Sequence, residues 1–234
     1  LAANVGPGWD FDNSDNNASN NIDAHGTACA GIAAAPRNNL GVVGIAPACT
    51  IIPMRAAGGH TWSEWADMFR WAGSRVDVIS CSWTISPSNT LSKAIREVTS
   101  NDRLGRGIPV FFAAGNGGIP RISYPASMPE TIAVGASTNA DRRAAYSQHG
   151  NGLDFLAPSS GGTLGIHTTD VVGTDGYNIA PSPGGDYCDF GGTSPGDVIQ
   201  LGPYTYQGGV DIDKAITLQG QEGTVITPGS HGVT

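Results

Sequence analysis

The 234-residue chain reads as an α/β protein built on a parallel sheet covered on both faces, a three-layer sandwich. Three observations predict this. Short apolar or β-branched runs alternate with segments of helical period between residues 25 and 134. Several of those runs are apolar throughout rather than alternating, as strands buried on both faces are. Charge is also sparse, at 14% of residues beside 39% hydrophobic residues and 34 Gly, which describes a compact chain with tight turns rather than a disordered one.

Residues 1–24 are rich in Asn and Asp, carry Gly6 and Gly8, and read as loop. The acidic run from Asp10 to Asp23 offers oxygens that suit calcium. It lacks the spacing of a calcium loop, so a solvated loop is the expectation and calcium the alternative. From His25 to Ala35 the side chains are small and apolar, which predicts a tightly packed helix stopped by Pro36. Thr50 to Met54 reads as a buried strand. Trp62, Trp65, Met68, Phe69 and Ala72 recur at helical spacing, predicting a helix over 61–72. Val76 to Ser80 is a β-branched strand, and Leu91, Ala94, Ile95 and Val98 mark one face of a second amphipathic helix. Ile108 to Ala113 and Thr131 to Val134 complete the strands. In such sheets, sites gather at the carboxyl ends of the strands, and Asn116 follows one directly.

The character changes after Ser194. Short runs split by Gly follow, at Asp197 to Leu201, Val210 to Ile212, Ala215 to Leu218 and Thr224 to Ile226. Their alternation suits strands with one buried face, and a domain boundary is expected at Ser194/Pro195.

The formal net charge is −8 and the only lysines are Lys93 and Lys214, so no basic patch invites nucleic acid. No apolar run reaches the roughly 18 residues that span a membrane. The acidic, Asn-, Ser- and Thr-rich composition suits a secreted or extracellular protein. With Leu1 first and no signal peptide in view, the chain reads as a processed form or an excerpt of something longer. Cys29, Cys49, Cys81 and Cys188 allow three pairings and lack zinc-site spacing. Buried thiols are the expectation, with a disulfide through Cys188 left open.

Three segments carry chemistry. His25-Gly26-Thr27 sets a His at a helix start, where its ring is held and can face a cleft. Phe111-Phe112-Ala113-Ala114-Gly115-Asn116 brings an amide to the end of a buried strand, where it can donate to an oxyanion. A turn Asn in Gly-Asn-Gly-Gly is the plainer reading of that tetrapeptide alone. Gly191-Gly192-Thr193-Ser194 places a hydroxyl where substrate can approach closely, although a loop Ser is the plainer reading there too. His60, His149, His167 and His231 have no such company and read as surface or structural.

Taken together, and with further segments in order, the chain resembles the subtilisin-like serine peptidases over residues 9–194. The likeness is carried by Gly8-Trp9-Asp10-Phe11, His25-Gly26-Thr27-Ala28-Cys29-Ala30-Gly31 and Gly44-Ile45-Ala46-Pro47. It continues through Asp77 to Trp83, Ala113 to Asn116, Tyr124-Pro125-Ala126-Ser127, Ile132 to Ser137, Tyr146-Ser147 and Phe190 to Ser194. The resemblance implies a subtilisin-like parallel sandwich and hydrolysis of peptide bonds in a protein or peptide substrate. It implies His25 as general base, Ser194 as nucleophile, and Asn116 with the Ser194 N–H as oxyanion hole. Ser80, Cys81 and Ser82 on one side, and Ala113, Ala114 and Gly115 on the other, would flank the substrate as extended strands.

Two departures stand out. The family's catalytic Asp lies on an early strand ahead of the Gly-Trp-Asp-Phe segment, and no such segment is present here. Asp10, Asp12, Asp15 and Asp23 are poor replacements, because the role needs a fixed, buried partner for the His ring. The family also continues after Ser with a small residue and a helix, whereas Pro195-Gly196-Asp197-Val198-Ile199 follows here. Residues 197–206 and 214–220 instead resemble the opening turns of a right-handed parallel β-helix of the pectate-lyase type, too few to bury their own core. The expectation is therefore a peptidase domain at 1–194, incomplete at both ends, a β-helix start at 195–234, and weak or no activity. The alternative is a non-catalytic relic or a secreted binding protein whose β-helix contacts carbohydrate.

Overall fold

The structure is a computed structural model that describes residues 1–18, 24–56, 58–173, 175–178 and 187–193. Ser194, the expected boundary beside it and the solenoid-like tail at 195–234 lie outside the described residues. After a short 3-10 turn at Ala2–Asn4, the elements are β1 (Trp9–Asp10), α1 (His25–Ala34), β2 (Met54–Arg55), α2 (Trp62–Gly73) and β3 (Ile79–Cys81). Then follow α3 (Asn89–Gly105), β4 (Val110–Ala113), β5 (Ile132–Ser137), β6 (Phe155–Pro158), β7 (Ile166–Thr169) and β8 (Tyr187–Phe190).

A four-stranded parallel sheet in the order β3-β4-β5-β6 forms the centre. Successive side chains point to opposite faces, so the two central strands, β4 and β5, feed two cores. Ile79, Cys81, Val110, Phe112 and Ala133 pack against Phe69 and Ala72 of α2 and Leu91, Ala94, Ile95 and Val98 of α3. On the opposite face Ile132, Val134 and Ala157 cluster with Phe111 and Phe155. This explains why Ile132 to Ala136 shows no alternation: all five residues are buried.

α2 begins at a capping box, in which Thr61 Oγ1 accepts from the Glu64 N–H and the Glu64 carboxylate accepts from the Thr61 N–H. After Thr27, α1 consists of small or apolar residues, and it buries Ala28, Gly31, Ile32 and Ala34. β7 crosses it at very close range. Thr168 Oγ1 donates to the Ala28 carbonyl and Thr169 Oγ1 to the Thr27 carbonyl, both at 2.8 Å. Gly31 makes this possible, since a methyl there would collide with both hydroxyls. β7 pairs antiparallel with β8, from Ile166 opposite Phe190 to Thr169 opposite Tyr187.

The N-terminal region departs from the loop expected over 1–24. Trp9–Asp10 is a strand, paired in parallel with Met54–Arg55, and Asp10 is 1% exposed rather than solvated. The reason is a counter-charge at the neighbouring strand. Arg55 Nη1 donates to Asp10 Oδ2 at 2.8 Å, and Asp10 Oδ1 accepts from the N–H groups of Asp12 and Asn13. Asp12 in turn meets Arg55 Nη2 at 3.2 Å and His60 Nε2 at 2.6 Å.

Burial works to raise the Asp10 carboxyl, but the Arg55 hydrogen bond and the backbone donors outweigh it and hold the group below the ordinary carboxylate value. A group depressed in the folded state stabilises above its unfolded pKa, and that contribution is lost as pH falls through the folded value. Asp10→Asn should therefore lower stability at neutral pH and flatten the acid limb below about pH 4. Urea unfolding between pH 7 and pH 3 checks this, and parallel acid limbs for the two proteins would count against it.

No disulfide joins the four cysteines; Cys81 and Cys188 are buried thiols as expected, whereas Cys29 and Cys49 are half-buried. Burial, with Asp170 and Asp189 nearby, pushes the Cys188 thiol up to about 11, so it stays protonated at neutral pH. Among the described residues no helix is long and apolar enough to cross a membrane.

Candidate active site

β4 ends at Ala113 and the chain then turns sharply. The Ala114 N–H donates to the Val134 carbonyl at 2.8 Å, and the Ala114 carbonyl accepts from the Ser123 N–H at 3.0 Å. Gly115 takes φ +111°, a left-handed conformation that favours glycine. Its N–H donates to Thr193 Oγ1 at 3.3 Å and its carbonyl accepts from the Gln148 N–H at 3.0 Å. Ala114 and Gly115 thus have both backbone groups engaged within the fold.

Asn116 emerges from this turn exposed. Its Oδ1 accepts from the Thr193 N–H at 2.9 Å. A backbone N–H can only donate, so this contact fixes which end of the amide is oxygen and leaves Nδ2 as the donor end. Nδ2 lies beside Gly192, which has φ +93°, and a Cβ on Gly192 would come within 3.0 Å of it.

His25 is the first residue of α1. Its ring meets Phe190 edge-on with centroids 5.4 Å apart, and its Nδ1 lies 4.0 Å from Cys29 Sγ one turn along the helix. Phe190 closes β8. His25 and Asn116 therefore contact the same short segment, Phe190 to Thr193, at its two ends. In sequence that segment runs into Ser194. Of the acidic residues weighed as partners for the His ring, Asp10 and Asp12 are engaged with Arg55 and His60, and Asp15 forms a backbone bridge with Asp10. Asp23 lies outside the described residues.

On the other side, Ser80, Cys81 and Ser82 run along and just beyond β3, where Ser80 is opposite Phe111 and Cys81 opposite Phe112. Ser80 is exposed, Cys81 buried and Ser82 half-buried. β3 and the β4 turn thus lie side by side in the sheet. Among the described residues, no group of three His, Cys, Asp or Glu side chains gathers to hold a metal ion.

Sequence reasoning missed Thr193, Gln148 and Tyr146 as parts of this site. Thr193 is 1% exposed and bonds to both Gly115 and Asn116, yet in sequence it is one small residue between Gly192 and Ser194. Only the motifs containing Tyr146 and Thr193 could have drawn attention to them.

The fold is that of the subtilisin-like proteinases. It superposes on the crystal structure of a cold adapted subtilisin-like serine proteinase with a TM-score of 0.64, at 23% identity, covering 84% of this chain and 65% of that one. The subtilase family model matches residues 2–195, and the chain belongs to the subtilase family. It is 36% identical over 176 residues to subtilisin Savinase of Lederbergia lenta, covering 73% of this chain and 57% of that protein. It is 34% identical over 203 residues to the calcium-dependent protease of Trichormus variabilis (strain ATCC 29413 / PCC 7937), covering 74% of this chain and 30% of that protein. It is 36% identical over 167 residues to thermitase of Thermoactinomyces vulgaris, covering 68% of this chain and 57% of that protein. The chain thus spans between 30% and 57% of the length of these relatives.

Proposed function

We propose that this chain carries the site of a serine endopeptidase. Ser194 Oγ attacks a peptide carbonyl, His25 accepts its proton and returns it to the leaving amine, and water then hydrolyses the acyl-enzyme. Asn116 Nδ2 and the Ser194 N–H hold the oxyanion. The observation that carries this reading is the Asn116–Thr193 hydrogen bond, because it turns the amide so that its donor end sits beside the segment leading to the nucleophile. The substrate would be an extended peptide or protein segment. Ser80 to Ser82 would supply a strand-like edge, and Ala113 to Gly115 the opposing wall. We infer a peptidase unit at 1–194 followed by a β-helix start at 195–234, in a secreted protein.

The test is labelling of the full chain with a fluorophosphonate probe, with the modified residue mapped by mass spectrometry. Labelling is expected at Ser194, lost in Ser194→Ala, and slowed by at least about 100-fold in His25→Ala, since a positioned base contributes roughly 10²–10⁴. It should develop over hours, because Pro195-Gly196 follows Ser194 where the family has a small residue opening a helix. Stoichiometric labelling within minutes would overturn the expected weakness. Labelling of Ser194 that ignores His25 would overturn the mechanism.

A further inference from the structure

The backbone just ahead of Ser194 is gripped by a cluster of hydroxyls that the mechanism above does not use. Tyr146 Oη lies 3.3 Å from the Gly192 nitrogen, whose N–H donates to it. The same oxygen lies 3.2 Å from the Gly192 carbonyl, 3.0 Å from the Ser160 carbonyl, 3.0 Å from Ser160 Oγ and 3.2 Å from Ser159 Oγ. Ser159 Oγ donates to the Gly192 carbonyl at 2.7 Å and is itself 3% exposed as a residue. Both backbone groups of Gly192 are thus bound by this cluster. Gly191 fits against Ser160 so closely that any side chain there would collide with it. Gly161 lies under the Tyr146 ring, where a Cβ would come 3.0 Å from Cε1.

We propose that Tyr146, with Ser159, is a positioning residue for the nucleophile segment. The proposal rests on the peptidase reading above. Gly192 sits at φ +93°, a conformation one peptide unit could leave by rotating. Holding its N–H and its carbonyl at once fixes the planes of the peptide units on both sides. The following unit contains the Thr193 N–H, which sets the orientation of the Asn116 amide. Tyr146 therefore acts at one remove: it orients Gly192, Gly192 aims the Thr193 N–H, and Thr193 turns the oxyanion donor. A phenol suits this task because a single oxygen both accepts and donates, so it can bridge an N–H and a carbonyl of one residue. A Phe at 146 keeps the ring and its packing on Gly161 and loses only the bridge.

Two readouts on the full chain test this in Tyr146→Phe and, separately, Ser159→Ala. The first is amide exchange resolved to Gly192 and Thr193. In Tyr146→Phe these two amides should exchange about tenfold faster or more, while those of β4 and β5 are unchanged, as expected for local opening after loss of a hydrogen bond. The second is fluorophosphonate labelling of Ser194 as a function of probe concentration. The maximal rate should fall by about tenfold with the half-saturating concentration unmoved, since positioning and not binding is lost. Ser159→Ala should show the same pattern, weaker, because Tyr146 still bridges Gly192. Unchanged exchange at Gly192 and Thr193 in both variants would overturn the proposal. Equal loss across β4 and β5 would also overturn it, since Tyr146 would then be a general stability residue. If the parent chain does not label at Ser194, the peptidase reading falls, and exchange alone decides the role of Tyr146.

Discussion

Asn116→Ala should slow fluorophosphonate labelling of Ser194 by about 10²–10³-fold, the effect known for deleting the oxyanion donor of a subtilisin. The fold should barely notice. Asn116 is exposed, follows β4 rather than sitting in it, and its one described side-chain bond is to the Thr193 N–H. The rate loss should appear in the maximal rate, because the amide donates most strongly once charge has developed on the oxygen. Asn116→Asp is the sharper control. It keeps an oxygen to accept from Thr193 but supplies no donor and adds a negative charge beside the developing oxyanion, so it should be at least as slow as the Ala variant. Equal labelling rates in parent and Ala variant would remove Asn116 from the mechanism.

Phe112→Ala should cost about 3–5 kcal/mol of stability, the usual price of emptying a buried aromatic site. Phe112 is 0% exposed at the centre of the sheet. Its ring stacks on Phe69 with centroids 6.2 Å apart and meets Trp83 edge-on at 5.1 Å, so α2, β4 and the end of β3 converge on it. The cavity is walled by rigid rings and strand backbone, which leaves little room to collapse. For a domain of this size the melting temperature should fall by roughly 6–20 °C in calorimetry. A shift below about 3 °C would mean the cluster repacks, and the account of the core would fail.

Much of the central fold was legible because its signals are local. α1 came within a residue of its expected span, since a run of small residues ended by Pro36 leaves little choice. α2 was equally plain from its spaced aromatic residues and from the Thr61 start. α3 runs on to Gly105, well past Val98, because the residues from Thr99 onward carry no apolar face to read. β1, β6, β7 and β8 were not foreseen. Trp9–Asp10 is a strand through its backbone pairing with Met54–Arg55 and the bond between Arg55 and Asp10, partners 45 residues apart in sequence. Ile166 to Thr169 and Tyr187 to Phe190 are mixed four-residue runs, too short to read, that pair with each other, and the first is tied to α1 by hydroxyl bonds.

The site divides in the same way. His25 and Asn116 are candidates because motifs hold them, and their neighbours supply a context that composition alone would not. Thr193 and Tyr146 lie in motifs, but their hydrogen bonds to the backbone of Gly115 and Gly192 are long-range contacts that the motifs do not spell out. Gly192 stands in a motif, but its φ of +93° and its grip by Tyr146 and Ser159 are not written there.

The threonine pair that ties β7 to α1 has a mechanical consequence. The helix bearing His25 is fastened to the hairpin whose second strand ends at Phe190, so the proposed base and the run-in to the proposed nucleophile share one scaffold. Asn116 hangs from a different scaffold, the central sheet. The seam between the two passes through Gly192 and Thr193, and any slippage there would shift Asn116 relative to His25 while leaving each scaffold intact. Alignment across that seam, more than the stability of either scaffold, is what a variant must preserve to keep His25 and Asn116 in register.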